Sequence, residues 1–452
     1  MKQLQFLLYL FVFFSCAHGQ QPSGNSLKEL LQLAEANYPL LKSKALDVQV
    51  AQKGIEISKN TIIPSLDASY QLNYATYNNI TGMAYPQFLV PISGPPASSN
   101  NMSGVFGSAT SLLLNWQAVT FGQRQSQVDF SKAGFQYATA DAANEIFKHK
   151  INVINAYLDL LTATELIKLY EENLRRTEAG LSMIKTLVTT GIKPGVDSAL
   201  LKAEVSKAKV DLLNSKKLKE QSRISLSLLL AADKLTVVID SSYFSKLPPA
   251  VINADPVQNP LQSLYKSSID LSKARKNVLS KTTMPTLGSW STVYARGSGV
   301  HSNGTTKAID GLGLQRYNYG VGLQLSVPIL QFARIKPQLQ QQDFIIKSNE
   351  EKLNEISLQL SKQNELADTA LSNALAIAKE TPLYYESAAF SYRALLSRYQ
   401  SGLANFADLM QAQYVLIKAE TDNKTAYMSV WKALLYKAAV TGDLNLFLSQ
   451  VN

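Results

Sequence analysis

The sequence predicts a mainly α protein with a small β component. Long antiparallel, coiled-coil-like helical hairpins alternate with pairs of strands, and the whole pattern occurs twice. Three observations carry this reading: the second half of the chain echoes the first, long segments place apolar residues at helical spacing, and four segments of about ten residues between them alternate polar and apolar residues.

The chain has 452 residues, a formal charge of +10, 46% apolar and 17% charged residues, a globular balance long enough for two or three domains or one large repeat architecture. It opens Met1-Lys2-Gln3, then runs apolar from Leu4 to Phe14 and ends in small residues up to Gly19, the layout of a secretory signal over 1–19. Two processing routes stay open: cleavage after Gly19, or lipid attachment at Cys16, whose preceding Phe13-Phe14-Ser15 is a poor lipidation signal. Cys16 is the one cysteine, and His18, His149 and His301 lie far apart, so neither a metal site nor a cofactor is expected. No later segment has the roughly 18 consecutive apolar residues of a membrane-spanning helix. Lys and Arg are spread over helices without interleaved aromatics, which argues against nucleic acid and suits anionic outer-membrane lipid or acidic partners.

The repeat is read from landmarks. Asn37-Tyr38-Pro39-Leu40 recurs as Asn259-Pro260-Leu261, and Ile63-Pro64-Ser65-Leu66 as Met284-Pro285-Thr286-Leu287. Val119-Thr120-Phe121-Gly122-Gln123-Arg124 falls opposite Ile329 to Arg334, and Gly191 with Asp197 recurs as Gly402 with Asp408. The offset shrinks from 222 at Asn37 and Asn259 to 211 at Gly191 and Gly402, so the first copy carries a net insertion, placed in the Pro, Gly, Ser and Asn-rich stretch from Asn78 to Gly104. The two structural repeats are accordingly 27–240 and 255–448, each a helix, a strand pair and a long helical hairpin.

Each element follows from its period. Phe121 to Thr190 contains no proline, and a helix over it would reach about 100 Å, too long to be stable without a coiled-coil-like partner. Lys202 to Ala232 supplies that partner after a turn at Gly191; Gln338 to Tyr399 and Asp408 to Val440 repeat the pair around Gly402, with a kink expected at Pro382. Ser65 to Tyr74 and Tyr317 to Val327 alternate almost perfectly, and Val105 to Trp116 and Leu287 to Arg296 less cleanly. Four strands with Tyr and Trp near their ends, in an exported chain, fit an outer-membrane barrel; two soluble hairpins with one wet face are the alternative. Four strands cannot close a barrel, so several chains must share one, and three would supply twelve strands.

In this order and duplication the motifs resemble the TolC-like outer-membrane efflux family: the Asn-Pro-Leu helix start, the Ile-Pro-Ser-Leu strand entry, the Val119 to Arg124 turn, and the Gly-Leu and Asp-Leu of the second hairpin. The resemblance covers roughly Leu27 to Leu448. It implies a homotrimer whose shared twelve-stranded β-barrel continues into an α-barrel of helical hairpins. It also implies a passive conduit without enzymatic activity, working with a periplasmic adaptor and an inner-membrane RND or ABC transporter. An exported coiled-coil tether in the periplasm is the rival.

The resemblance also assigns residues. Asp408 would form a ring of three carboxylates at the pore constriction, where Gln411 stands in place of a second Asp; an Asp in a first helical turn also simply complements the dipole. Asp197, Tyr399 and Arg398 would act at the periplasmic tip. The arginine that latches some relatives is replaced by Ala404, leaving Arg398 and Tyr399 as substitutes. Gly191 and Gly402 would end their helices in a left-handed conformation, and Val196, Leu403 and Phe406 are candidates for adaptor contact or for packing.

Overall fold

The computed structural model describes residues 25–76, 78, 84–85, 88–89, 99–232, 237–248, 258–303 and 305–451. The expected signal segment 1–19 with Cys16, and most of the insertion, lie outside the described residues. In order the elements are α1 (Leu27–Asn37), α2 (Pro39–Asn60), β1 (Ser65–Ala75), β2 (Ala84–Tyr85), β3 (Phe88–Leu89), β4 (Val105–Val119), α3 (Gln123–Thr189) and α4 (Gly195–Leu230), then α5 (Pro260–Lys281), β5 (Thr286–Ser298), β6 (Arg316–Ser326), α6 (Gln331–Gln400), α7 (Phe406–Thr441) and α8 (Asn445–Leu448). No described helix is long and apolar enough to cross a membrane.

Local chemistry explains the boundaries. Ser26 and Glu29 exchange backbone hydrogen bonds in a capping box that starts α1. Prolines 39 and 260 stand first in α2 and α5, where their missing N–H costs nothing, and Asn259 accepts from the N–H of Leu261 at 2.9 Å to cap α5. The proline at which a kink is expected, Pro382, does not end the helix: α6 runs from Gln331 to Gln400. Proline leaves the carbonyl four residues back without its helical donor. The Thr381 hydroxyl faces that carbonyl, on Ala378, at 3.5 Å, and Asn423 at 3.1 Å.

The chain forms two compact units, and each draws segments from both halves of the sequence. One unit comprises Asp47–Thr139 and Tyr265–Leu353 and holds a four-stranded antiparallel sheet in the order β1-β4-β5-β6. Below the sheet the chain turns into α3 through Phe121 and Gly122, at φ of 44° and 93°. That left-handed pair is tolerable because Gly122 carries no Cβ and the turn is tied down. Arg124 donates to the carbonyl of Gln117, and the Gln123 amide donates to the Met284 carbonyl at 2.7 Å, joining the two strand entries.

The other unit comprises Met1–Leu46, Ala140–Leu264 and Asn354–Asn452. Its main core is built from fully buried Leu30, Ile154, Leu158, Leu226, Met428 and Phe447, with Trp431 packed edge-on against Tyr243 and donating to its carbonyl at 3.2 Å. Burying such side chains stabilises by about 1.5–3 kcal/mol each before entropy is counted. Asp240, nearby, and burial together hold the Tyr157 hydroxyl up at about 12, burial being the larger cause.

His149 is buried in this unit, stacked on Tyr38 at 4.0 Å, with Nε2 2.9 Å from the Leu229 carbonyl. Burial lowers its pKa more than that carbonyl raises it. The unfolded chain therefore takes up a proton near pH 6.5 that the folded chain resists, so stability is complete above 6.5 and is lost as the pH falls below it. The thermal midpoint in detergent should drop between pH 7 and pH 5, and His149→Gln should flatten that dependence. An equally steep profile in the variant would exclude His149 as its source.

Candidate functional site

The register divides the sheet into two faces of opposite character. Partners directly across an antiparallel pair point to the same side. One face therefore collects Leu66, Tyr70, Leu72 and Tyr74 of β1 with Leu112 and Leu114 of β4, Val293 of β5, and Tyr319, Val321 and Leu323 of β6. The other collects Asp67, Ser69 and Gln71, then Ser111 and Asn115, Thr292 and Arg296, and Arg316, Asn318 and Gln324. The apolar side is exposed like the polar one, with Tyr319 at 86% and Leu323 at 78%. An exposed apolar face is unfavourable in water; it suits a sheet whose apolar side meets hydrocarbon.

Glycines set both surfaces. Gly320 and Gly322 lie on the polar side beneath the Trp290 indole, and a Cβ on Gly322 would come 2.7 Å from that ring. At the loop end, Ala308–Leu312 folds back onto the sheet so closely that a Cβ on Gly311 would collide with the Phe106 carbonyl.

At the hairpin turns, Gly191 and Gly402 take φ of 72° and 77°. Each ends its helix with the same pair of bonds: Ile192 to the Leu187 carbonyl and Gly191 to that of Val188, Leu403 to Arg398 and Gly402 to Tyr399. This double closure satisfies the last carbonyls of α3 and α6 and requires a left-handed residue at the turn. Asp197, in the first turn of α4, accepts from the Tyr399 hydroxyl at 2.8 Å, with Tyr399 fully buried. Burial first, and the Asp197 carboxylate second, raise the Tyr399 pKa, so the phenol keeps its proton at neutral pH and remains the donor. Lys193 sits 4.3 Å over the Tyr399 ring, and Phe406 packs on its edge. Ile184, Leu201 and Leu409 complete a small core behind them.

Residues 30–232 match the model of a family described as outer membrane efflux protein. Those residues, a little under half of the chain, are similar to that family. A comparison with curated protein sequences finds no match. Among solved structures the fold is similar to that of CusC, at 14% identity over 93% of each chain with a TM-score of 0.77. It is also similar to the CmeC outer membrane channel of Campylobacter jejuni, at 14% identity over 98% of this chain and 94% of that one with a TM-score of 0.72. The outer membrane protein VceC of Vibrio cholerae shares 13% identity over 92% and 96% of the two chains, again with a TM-score of 0.72. At such identities these likenesses establish the fold alone. The family match places the chain in the outer membrane, with its helical part in the periplasm.

The structure brings together some of the residues singled out in the sequence and separates others. Asp197 meets Tyr399, whereas Arg398 is exposed and donates to the Leu403 carbonyl at 3.4 Å. Asp408 and Gln411 are exposed near the start of α7, where Asn405 caps the helix by accepting from the Asp408 N–H at 2.8 Å. Leu403 and Val196 are exposed at 68% and 60%, while Phe406 is half-buried.

Sequence reasoning missed the polar ties that hold α3, α4 and α7 above the tip. Arg176 donates to both carboxylate oxygens of Glu420, at 3.2 and 2.9 Å, the Gln413 amide donates to the Thr177 hydroxyl at 2.9 Å, and Tyr414 donates to Glu204. Partners more than 200 residues apart leave no local signal. Only a polar residue at an otherwise apolar position, as at Gln413, hints at them.

The Tyr399 contact has a measurable consequence. Tyr399→Phe leaves the Asp197 carboxylate buried without its donor, which costs about 1–3 kcal/mol. Limited proteolysis should cut the variant faster at the Ile192-Lys193 turn than the parent, and unchanged cleavage would show that the bond does not hold the tip.

Proposed function

We propose that three copies of this chain close one twelve-stranded barrel in the outer membrane and continue as a barrel of helical hairpins. On this reading the assembly is a passive conduit for small molecules, delivered by an inner-membrane RND or ABC transporter through a periplasmic adaptor. The observation that carries the reading is the two-faced sheet with open edges. β1 and β6 are the outer strands, and since each neighbouring pair is antiparallel, β6 runs antiparallel to β1. The β6 edge of one copy can therefore pair with the β1 edge of the next in the same antiparallel sense, a head-to-tail contact that closes as a ring. Closure places the apolar face toward lipid and the polar face toward a lumen.

The helices support the same assembly. On α4, Val196, Leu200, Val210, Leu213, Ile224 and Leu228 are all exposed, between 50% and 71%, and fall on one 3.5-residue period. Such a stripe is the seam of a coiled coil that lacks its partner within the chain. A soluble tether would leave both this seam and the apolar sheet face in water.

At the tip, the Asp408 carboxylates would ring the constriction with Gln411 one turn behind, Asp197 and Tyr399 would hold the closed state with Arg398 alongside, and Val196, Leu403 and Phe406 would meet the adaptor around Gly191 and Gly402. Three carboxylates at one narrow ring attract cations and repel anions.

Two outcomes test this reading. Purified from the outer-membrane fraction in detergent, the parent should have the mass of three chains. Leu213→Asp with Ile224→Asp should dissociate it while helix content by circular dichroism is kept. A soluble periplasmic monomer as the parent species would refute the channel. In single-channel recordings under a salt gradient, Asp408→Ala should shift the reversal potential toward lower cation preference, and an unmoved potential would remove the carboxylate ring.

A further inference from the structure

Charge on the strand-bearing segments is sparse and one-sided. No charged residue occurs between Asp67 and Arg124, and between Lys281 and Arg334 the charged side chains are Arg296, Lys307, Asp310 and Arg316. The single carboxylate among these four, on Asp310, is engaged by His301 at 3.0 Å and Lys307 at 3.2 Å. Arg296 and Arg316 have no ion-pair partner among the described residues. They stand directly opposite one another on β5 and β6, both exposed and on the polar face, Arg316 opening β6 and Arg296 two residues before the end of β5.

Like charges directly across a sheet destabilise it. The rest of their row is Gln71 and Ala109, which neutralises nothing. Asp67, the one carboxylate of that face, is four residues further along β1, about 13 Å away at strand spacing. Two guanidinium groups side by side, each a rigid fork of donors, match an oxyanion that can bridge them.

We infer that Arg296 and Arg316 form an anion-binding site at the loop end of the barrel lumen, taking phosphate- or carboxylate-bearing solutes. The inference rests on the proposed trimer, in which closure arranges six guanidinium groups around one opening. The site faces away from the apolar surface of the sheet, so its ligands are solutes in the lumen rather than lipid headgroups. A multivalent oxyanion that bridges two or more arginines binds there and obstructs the passage, and salt weakens it by screening.

The test uses the purified full-length protein in planar bilayers, with sodium tripolyphosphate added to one chamber at a time. Block is expected from one side only. Arg296→Gln with Arg316→Gln should raise the half-blocking concentration at least tenfold at unchanged oligomeric mass and open conductance, and Arg296→Lys with Arg316→Lys should retain a weaker block. A parent that conducts without being blocked, or a glutamine variant blocked as tightly as the parent, would overturn the arginine site alone. A parent that forms neither trimers nor channels would overturn the trimeric lumen and the site with it.

Discussion

The structure depends on one constraint: a strand in hydrocarbon cannot leave its backbone hydrogen-bonding groups unpaired. A four-stranded sheet has two free edges, and its β1 and β6 are those edges. No folding of this sheet within a single chain satisfies them, because about eight strands are needed before a barrel encloses filled space. In the proposed trimer the edges are satisfied by copies of each other, and assembly becomes part of folding rather than a later event. The exposed seam on α4 follows the same logic in aqueous surroundings, where the cost of exposure falls on apolar side chains instead of backbone groups.

The hairpin turns solve a different problem. Each long helix must end abruptly and reverse within a few residues, and the glycine closures at Gly191 and Gly402 achieve this at both turns with the same two hydrogen bonds. What distinguishes the turns is the side chains around them. Tyr399, fully buried, reaches across to Asp197 at the start of α4, so one bond links the end of one hairpin's long helix to the start of the other hairpin's short one. This buried tie is one of several contacts between the two turns, beside Lys193 over the ring and the shared core of Ile184, Leu201 and Leu409, so breaking it loosens the tip without unfolding either helix pair. Lys193 over the ring adds positive charge beside the phenol without competing for its proton.

The sequence revealed the elements of the fold more readily than their ties. Alternation from Ser65 to Tyr74 located β1 within a residue, and the Asn-Pro-Leu motif placed the start of α5, because period and proline chemistry act within a few residues. Pro382 is carried inside α6 without ending it, with the Thr381 hydroxyl facing the carbonyl that lacks its donor and the Asn423 side chain of α7. Near the tip the sequence drew attention to Asp197 and Tyr399 separately, whereas their contact belongs to the packing of two hairpins. Lys193 over the Tyr399 ring, Asn405 as a cap and the Arg176–Glu420 pair were not legible, since each depends on a neighbour that only the folded chain supplies.

In the proposed barrel the polar face is the lumen wall, and it shows how little side-chain chemistry such a wall needs. Gly320 and Gly322 let the Trp290 indole lie against the strand, serine and asparagine satisfy themselves or water, and charge is nearly absent. On such a neutral wall a few ionic side chains dominate the local potential, because no neighbouring opposite charge cancels them and a passage walled by protein focuses their field. Selectivity in a conduit of this kind therefore depends on the count and sign of its isolated charges rather than on a shaped binding pocket. A wall that is otherwise neutral can pass chemically varied solutes while discriminating by charge at one or two rings, and this arrangement matches a passage that leaves recognition of its cargo to other proteins.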